Sequence, residues 1–152
     1  MHQDNKIDNT MKMFRVFTDG GARGNPGPGA VGVVIYELSR PKEPVATVSA
    51  FIGDEVTNNS AEYQAVVTAL RTLLPFQPTK VEFFLDSELV VKQLQGGYKI
   101  KQAHLQAFFQ EIQALSKDIP MLEFNYIPRE KNKEADRLVN DALDKVERPA
   151  SR

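Results

Sequence analysis

The sequence predicts an α/β domain built on a mixed five-stranded sheet, three antiparallel strands followed by two parallel ones, with helices on its faces. Three observations predict it. Three short β-type runs in the N-terminal third are joined by polar, turn-rich connections, the pattern of an antiparallel meander. Two later runs are reached only through helical segments, and connections of that length join parallel neighbours. A helical period closes the chain, so the element order is βββαβααβα, with no internal repeat.

Taken in order, residues 14–18 (FRVFT) are the first strand and 31–38 (VGVVIYEL) the second, with a Gly- and Pro-dense stretch between them whose best turn is Asn25-Pro26-Gly27. A third strand, 45–52, follows the turn-like RPKEP. Ala61, Ala65, Val66, Ala69, Leu70 and Leu73 then recur at helical spacing until Pro75 and Pro78 stop the run. Residues 81–85 (VEFFL) are a strand. Leu89, Val90, Val91 and Leu94 predict a short helix ended by Gly96-Gly97, and Leu105, Phe108, Phe109, Ile112 and Leu115 a longer one. A fifth strand covers 121–127, and a last helix, 131–146, carries Ala135, Leu138, Val139, Ala142, Leu143 and Val146 on its apolar side. Residues 1–12 have no period and are expected to be a disordered arm, 13–147 the one domain, and 148–152 a flexible tail.

Composition agrees with a single domain: 152 residues, 41% hydrophobic, can bury roughly 68–70% of the surface of the unfolded chain. Cysteine is absent, which excludes disulfide scaffolds, thiolate zinc sites and cysteine nucleophiles. No apolar run approaches the ~18 residues of a membrane span and the N-terminus is polar, so a cytoplasmic, monomeric protein without membrane contact is expected. The net charge of -1 argues against a nucleic-acid partner only if no cations are bound, because ions held by carboxylates would turn the working charge positive.

Ligands of such sheets lie beyond the carboxyl ends of strands. Asp19 follows the first strand in TDGGARGNPGPG. Asp-Gly is a common hairpin turn, but with the turn at Asn25-Pro26-Gly27 Asp19 stays in the extended arm, and Gly20 and Gly21 let a ligand backbone come close. The stretch lacks the Gly-Lys-Ser/Thr of a P-loop. In TNNSAE, Asn59 as N-cap and Glu62 three residues on would make a capping-box pair. Glu62 also continues the stripe Val66, Ala69 and Leu73 toward the sheet, where a charge is costly unless paired or metal-bound. Asp86 ends VEFFL and precedes a helix, a position N-capping would explain. Asp136 shares a stripe with Asn132, Val139, Leu143 and Val146, and Lys133 and Arg137 are available as its ion-pair partners. Each acid has an ordinary explanation alone; jointly they converge on one sheet edge, where like charges raise one another's pKa unless cations relieve them. All-oxygen ligation favours Mg2+ or Mn2+, ions that keep waters and accept phosphate oxygens, so the pattern reads as a two-metal phosphodiester site.

The blocks DGGARGNPGPGA, TNNSAE, FLDSE and PREKNKEADRLVNDAL resemble, in order and spacing, the four signature blocks of the type 1 ribonuclease H family, across residues 14–146. The resemblance implies that family's mixed five-stranded sheet with flanking helices and catalytic, metal-binding roles for Asp19, Glu62, Asp86 and Asp136. It also implies two Mg2+ ions, with Mn2+ as a substitute, and two-metal hydrolysis of the RNA strand of RNA/DNA hybrids to 3'-hydroxyl and 5'-phosphate ends. Substrate contacts are implied for Gly20, Gly21, Asn25, Thr57, Asn58, Asn59, Arg129 and Asn132. Of these, Asn25, Asn58 and Asn59 match positions near the minor groove, where neutral amides suit the RNA 2'-hydroxyl, and Thr57 with Asn58 resembles part of a DNA-phosphate pocket.

The chain departs from the family in two places. Many members place a histidine in the loop before the last acid; here the histidines are His2 and His104, neither in that loop, and Arg129 stands there instead. A guanidinium cannot act as a base near neutral pH but suits a phosphate, so Arg129 is expected to position substrate or product. Some members also carry a long basic protrusion between the middle helices, where this chain has only GGYKIK. Lys92, Tyr98, Lys99 and Lys101 offer a modest contact, and hybrid binding is expected to be weaker and strongly salt-dependent. Two other readings stay open: a non-catalytic nucleic-acid-binding module, and a nuclease of the same fold acting on duplex RNA or branched DNA.

Overall fold

A computed structural model describes residues 11–147; most of the expected arm, His2 and the expected tail lie outside the described residues. The strands are β1 (Met13–Ala22), β2 (Gly27–Glu37), β3 (Ala46–Val56), β4 (Lys80–Leu85) and β5 (Met121–Tyr126). The helices are α1 (Asn58–Leu73), α2 (Glu88–Leu94), α3 (Ala103–Ser116) and α4 (Lys133–Glu147). One sheet holds all five strands in the order β3-β2-β1-β4-β5, with β1–β2 and β2–β3 antiparallel and β1–β4 and β4–β5 parallel. The mixed sheet read from the sequence is the sheet observed. Among the described residues no helix is long and apolar enough to cross a membrane.

The strands run further than their apolar cores. β1 continues through Ala22 and β2 begins at Gly27, so that Asp19 pairs with Gly32 and Gly21 with Ala30. Ladder hydrogen bonds are made by the backbone, which is why glycines and an aspartate extend a strand that hydrophobic patterning ends early. At the other end of β1, Lys12, placed in the arm by its lack of period, is bonded to the sheet: its N–H donates to Thr79 Oγ1 at 3.2 Å, and its carbonyl accepts from Thr79 N at 2.8 Å. α4 likewise starts at Lys133, two residues later than its periodicity suggested, because Arg129–Lys131 form a 3-10 turn.

Alternation along the strands sorts the side chains onto two faces. Phe14 and Val16 of β1, Val33 and Ile35 of β2 and Phe83 and Leu85 of β4 meet Tyr63, Val66, Leu70 and Leu73 of α1, together with residues of α2 and α3. Fully burying a side chain such as Leu70 contributes about 1.5–3 kcal/mol. The opposite face receives α4, whose Val139, Ala142 and Leu143 pack on Ala30. Two glycines set how close the helices come. A Cβ on Gly20 would overlap the Ala61 carbonyl of α1, and one on Gly32 the Ala135 carbonyl of α4. Each helix therefore rests backbone-to-backbone on the sheet one residue before an acid, Glu62 in the first case and Asp136 in the second.

Candidate active site

The four acids reach one cavity from four elements: Asp19 from β1, Glu62 from α1, Asp86 from the residue after β4, and Asp136 from the first turn of α4. Carboxylate oxygens of Asp19, Glu62 and Asp86 lie within 4.8 Å of one another. Asp136 is outside that set of three but lines the same cavity and acts on the Asp19 carboxylate through its charge, so Asp19 is common to both groupings. Asp19 is 8% exposed and Glu62 7%, whereas Asp86 and Asp136 are half-buried.

The ordinary explanations for these acids are not realised. α1 is capped by Thr57, whose hydroxyl accepts from Ser60 N at 3.1 Å, so Asn59 is not the N-cap and Glu62 is not its capping-box partner. Ser87, not Asp86, caps α2 through Val90 N at 3.3 Å. Arg137 pairs with Glu134 and Asp141, and Asp136 takes part in no ion pair among the described residues.

Burial first, then the charges of Asp86 and Asp136, push the Asp19 carboxyl up to about 8. Glu62 is held well above the usual carboxylate range by burial and by the charges of Asp19 and Asp86, eased by the Arg129 guanidinium and a backbone hydrogen bond from Gly20. Its Oε1 is buried without a hydrogen-bond partner. A buried unpartnered oxygen among crowded carboxylates costs free energy that a divalent cation would recover, and an all-oxygen donor set fits a hard ion. The residues present therefore fit Mg2+ or Mn2+, with Asp19, Glu62 and Asp86 able to hold one ion and Asp19 with Asp136 able to share a second.

The residues expected to touch substrate divide. Gly21, Asn58, Asn59 and the exposed Arg129 line the cavity of about 480 Å³ with the acids. Gly20 lines it too, but its missing side chain makes room for the α1 backbone, not for a ligand as expected. Asn25 and Asn58 lace the rim: Asn25 Oδ1 accepts from Asn58 N at 3.0 Å, and Asn58 Oδ1 from Ala22 N at 2.9 Å. Those bonds use the amide oxygens and not the NH2 groups. Thr57 sits beside them as the α1 cap.

Asn132 is a correction. It was expected on the substrate side, but it is 1% exposed and its Nδ2 donates to Asp86 Oδ2 at 2.9 Å and to the Thr18 carbonyl at 2.8 Å. It orients an acid and is sealed from substrate. Sequence reasoning also missed Arg23, which lines the cavity while pairing with Asp144 at 2.9 Å and Glu147 at 2.7 Å and bonding Asn140 at 2.9 Å. Its partners lie more than a hundred residues away, and no local pattern announces such a contact.

Comparison with known proteins agrees with this geometry. A family profile described as "Reverse transcriptase-like" matches residues 17–142. The bifunctional protein Rv2228c of Mycobacterium tuberculosis is 35% identical over 133 residues, 88% of this chain and 36% of that protein. The ribonuclease HI of Halobacterium salinarum is 38% identical over 128 residues, 84% of this chain and 63% of that protein. The chain thus spans about a third of the mycobacterial relative and under two thirds of the haloarchaeal one. Among solved structures, LC11-RNase H1, a compost metagenome protein crystallised with an RNA/DNA hybrid, superposes with a TM-score of 0.82 at 45% identity, covering 88% of this chain and 98% of that one. With residues 17–142 matched by that profile and LC11-RNase H1 superposing at 45% identity over 88% of the chain, the chain belongs to the type 1 ribonuclease H family.

Proposed function

We propose that this protein is a metal-dependent endoribonuclease that cleaves the RNA strand of RNA/DNA hybrids. The observation that carries the reading is the convergence of Asp19, Glu62 and Asp86 within 4.8 Å, with Asp136 lining the same open cavity. Buried acids in contact destabilise a fold and repel phosphate, so a surface built only to bind nucleic acid has no use for them. The hybrid held by LC11-RNase H1 supports the substrate class.

When bound, two divalent ions would supply activation of the attacking water and stabilisation of the leaving 3'-oxygen. The chain's own groups do the rest. Asp19, Glu62, Asp86 and Asp136 hold the cations. Asn132 keeps the Asp86 carboxylate turned into the cavity by its 2.9 Å bond, which frees Asp86 Oδ1 for ligation. Arg129 binds a substrate or product phosphate and, being always charged, does not move a proton. The NH2 groups of Asn25, Asn58 and Asn59 read the RNA 2'-hydroxyl, and Thr57 with Asn58 seats a phosphate of the DNA strand near the positive end of α1.

A digestion panel tests this reading. Wild type with Mg2+ or Mn2+ is expected to cut only the RNA strand of a labelled hybrid, leaving duplex DNA and duplex RNA intact, and Asp86→Asn is expected to lose at least a hundredfold in kcat. Cleavage of duplex RNA in preference to the hybrid would move the protein to the rival nuclease reading. Arg129→Ala is expected to weaken turnover without abolishing it.

A further inference from the structure

The sheet face that carries α4 is only half covered. α4 lies over the active-site end of the inner strands and β3, where the Ser49 hydroxyl donates to the Leu138 carbonyl at 2.6 Å. Toward the opposite end the same face presents Arg15 and Phe17 of β1, Tyr36 of β2 and Phe84 of β4, which the registers Arg15–Tyr36 and Phe17–Phe84 place side by side. Phe17 and Phe84 stack at 5.1 Å, Tyr36 meets Phe17 edge-on at 6.1 Å and 89°, and the Arg15 guanidinium lies 5.8 Å from the Phe84 centroid.

Two cavities, of about 220 and 290 Å³, adjoin here and share Phe17 and Tyr36 as walls. Lys42 edges one, and Lys131 and Lys133 edge the other. None of these lysines has an ion-pair partner among the described residues, whereas Glu134 is engaged by Arg137 at 2.8 Å and Glu82 by Arg15 at 3.1 Å. Glu130 is the one acid on these walls left uncompensated among the described residues. The groove is thus aromatic along its floor, cationic at the end lined by Arg15 and Lys42, and lined at the other end by Lys131 and Lys133 beside Glu130 and Glu134.

We propose that this open half-sheet binds single-stranded nucleic acid, with bases seated against Tyr36 and Phe17 in the two cavities and phosphates directed to Lys42, Lys131 and Lys133. Every base has a π face that a ring can stack on, and Phe17 and Tyr36, both half-buried, are open on the side where they wall the two cavities. Unpaired lysines at both ends of the groove complement a polyanion, not an apolar peptide or a second copy of the same basic edge. The platform is separate from the catalytic cavity and would hold a single-stranded flank or product.

Binding of a labelled deoxythymidine strand of about ten nucleotides by the full chain, followed by fluorescence anisotropy in EDTA, tests the proposal, because without cations the four acids repel phosphate from the catalytic cavity. Tyr36→Ala is expected to weaken binding about tenfold and Tyr36→Phe to retain it, while the exposed-site Lys42→Glu weakens it and flattens its salt dependence. Hybrid cleavage by Tyr36→Ala and Lys42→Glu is expected to stay at the wild-type rate, so this proposal can fail while the nuclease reading stands. Three results would each overturn it: no strand binding by wild type, equal binding by wild type and Lys42→Glu, or loss of binding in Arg129→Ala alone. A dimer in sedimentation that Tyr36→Ala dissociates, with strand affinity unchanged, would assign the face to a second copy instead.

Discussion

Asp19 and Glu62 are held in a state that the isolated fold disfavours. With Asp19 raised from about 3.8 to about 8, the folded protein retains a proton that the unfolded chain releases between those values. The contribution of Asp19 to stability in the absence of metal is therefore fully present below about pH 4 and is lost as pH rises toward 8. Asp19→Asn removes that cost, so it is expected to stabilise the metal-free protein at pH 8 by on the order of 2 kcal/mol, with the gain vanishing near pH 4. Thermal melts in EDTA across that range check it, and equal melting temperatures at pH 8 would count against the strain. Asn132 acts at the same scale but through geometry. Asn132→Ala deletes its bonds to Asp86 and Thr18 and is expected to cost about 1–3 kcal/mol, lowering kcat with KM nearly unchanged. Unchanged kcat would mean that Asp86 is oriented by other contacts. The four acids were legible in the sequence because each sat in a signature block; Asn132's burial was not, since a polar residue on a helical stripe reads the same whether it faces substrate or core.

Helices α1 and α4 deliver their acids because glycines let them lie on the sheet. Gly20→Ala must force α1 away at Ala61, and with it Glu62, whereas at Gly21 an added Cβ has nothing nearer than Val139 at 3.8 Å. Gly20→Ala is expected to cost about 3 kcal/mol and most of the activity, and Gly21→Ala little stability; denaturant unfolding of the two variants separates close packing from mere turn preference. The α1 cap contributes less, and Thr57→Ala is expected to cost about 1 kcal/mol. Element types and order followed from apolar periodicity, so the meander and all four helices were legible. Element ends were less so. β1 and β2 extend through glycines that carry no hydrophobic signal, and the cap fell to Thr57 because the backbone turn comes one residue before α1 and two before Asn59.

For the whole molecule, near-neutral charge conceals a division of labour. Acids are concentrated in the catalytic cavity, while lysines without partners flank the open sheet face. Without a long basic protrusion, and with Tyr98 55% exposed on the short link that replaces it, hybrid affinity is expected to drop steeply between 50 and 200 mM salt, and an affinity indifferent to salt would contradict a phosphate-led interface. Sheet topology was legible at this scale because connection length decides strand direction; the pairing of Arg23 with α4 and the half-covered face were not, because the first depends on how far α4 runs and the second on where it starts. The claim on which all else depends is that the gathered carboxylates exist to hold cations. Calorimetric titration of Mn2+ into the metal-free protein measures it most directly: wild type should bind with an affinity that Asp19→Asn lowers at least tenfold, since Asp19 is common to both groupings. Equal binding by the two proteins, or none by wild type, would contradict it.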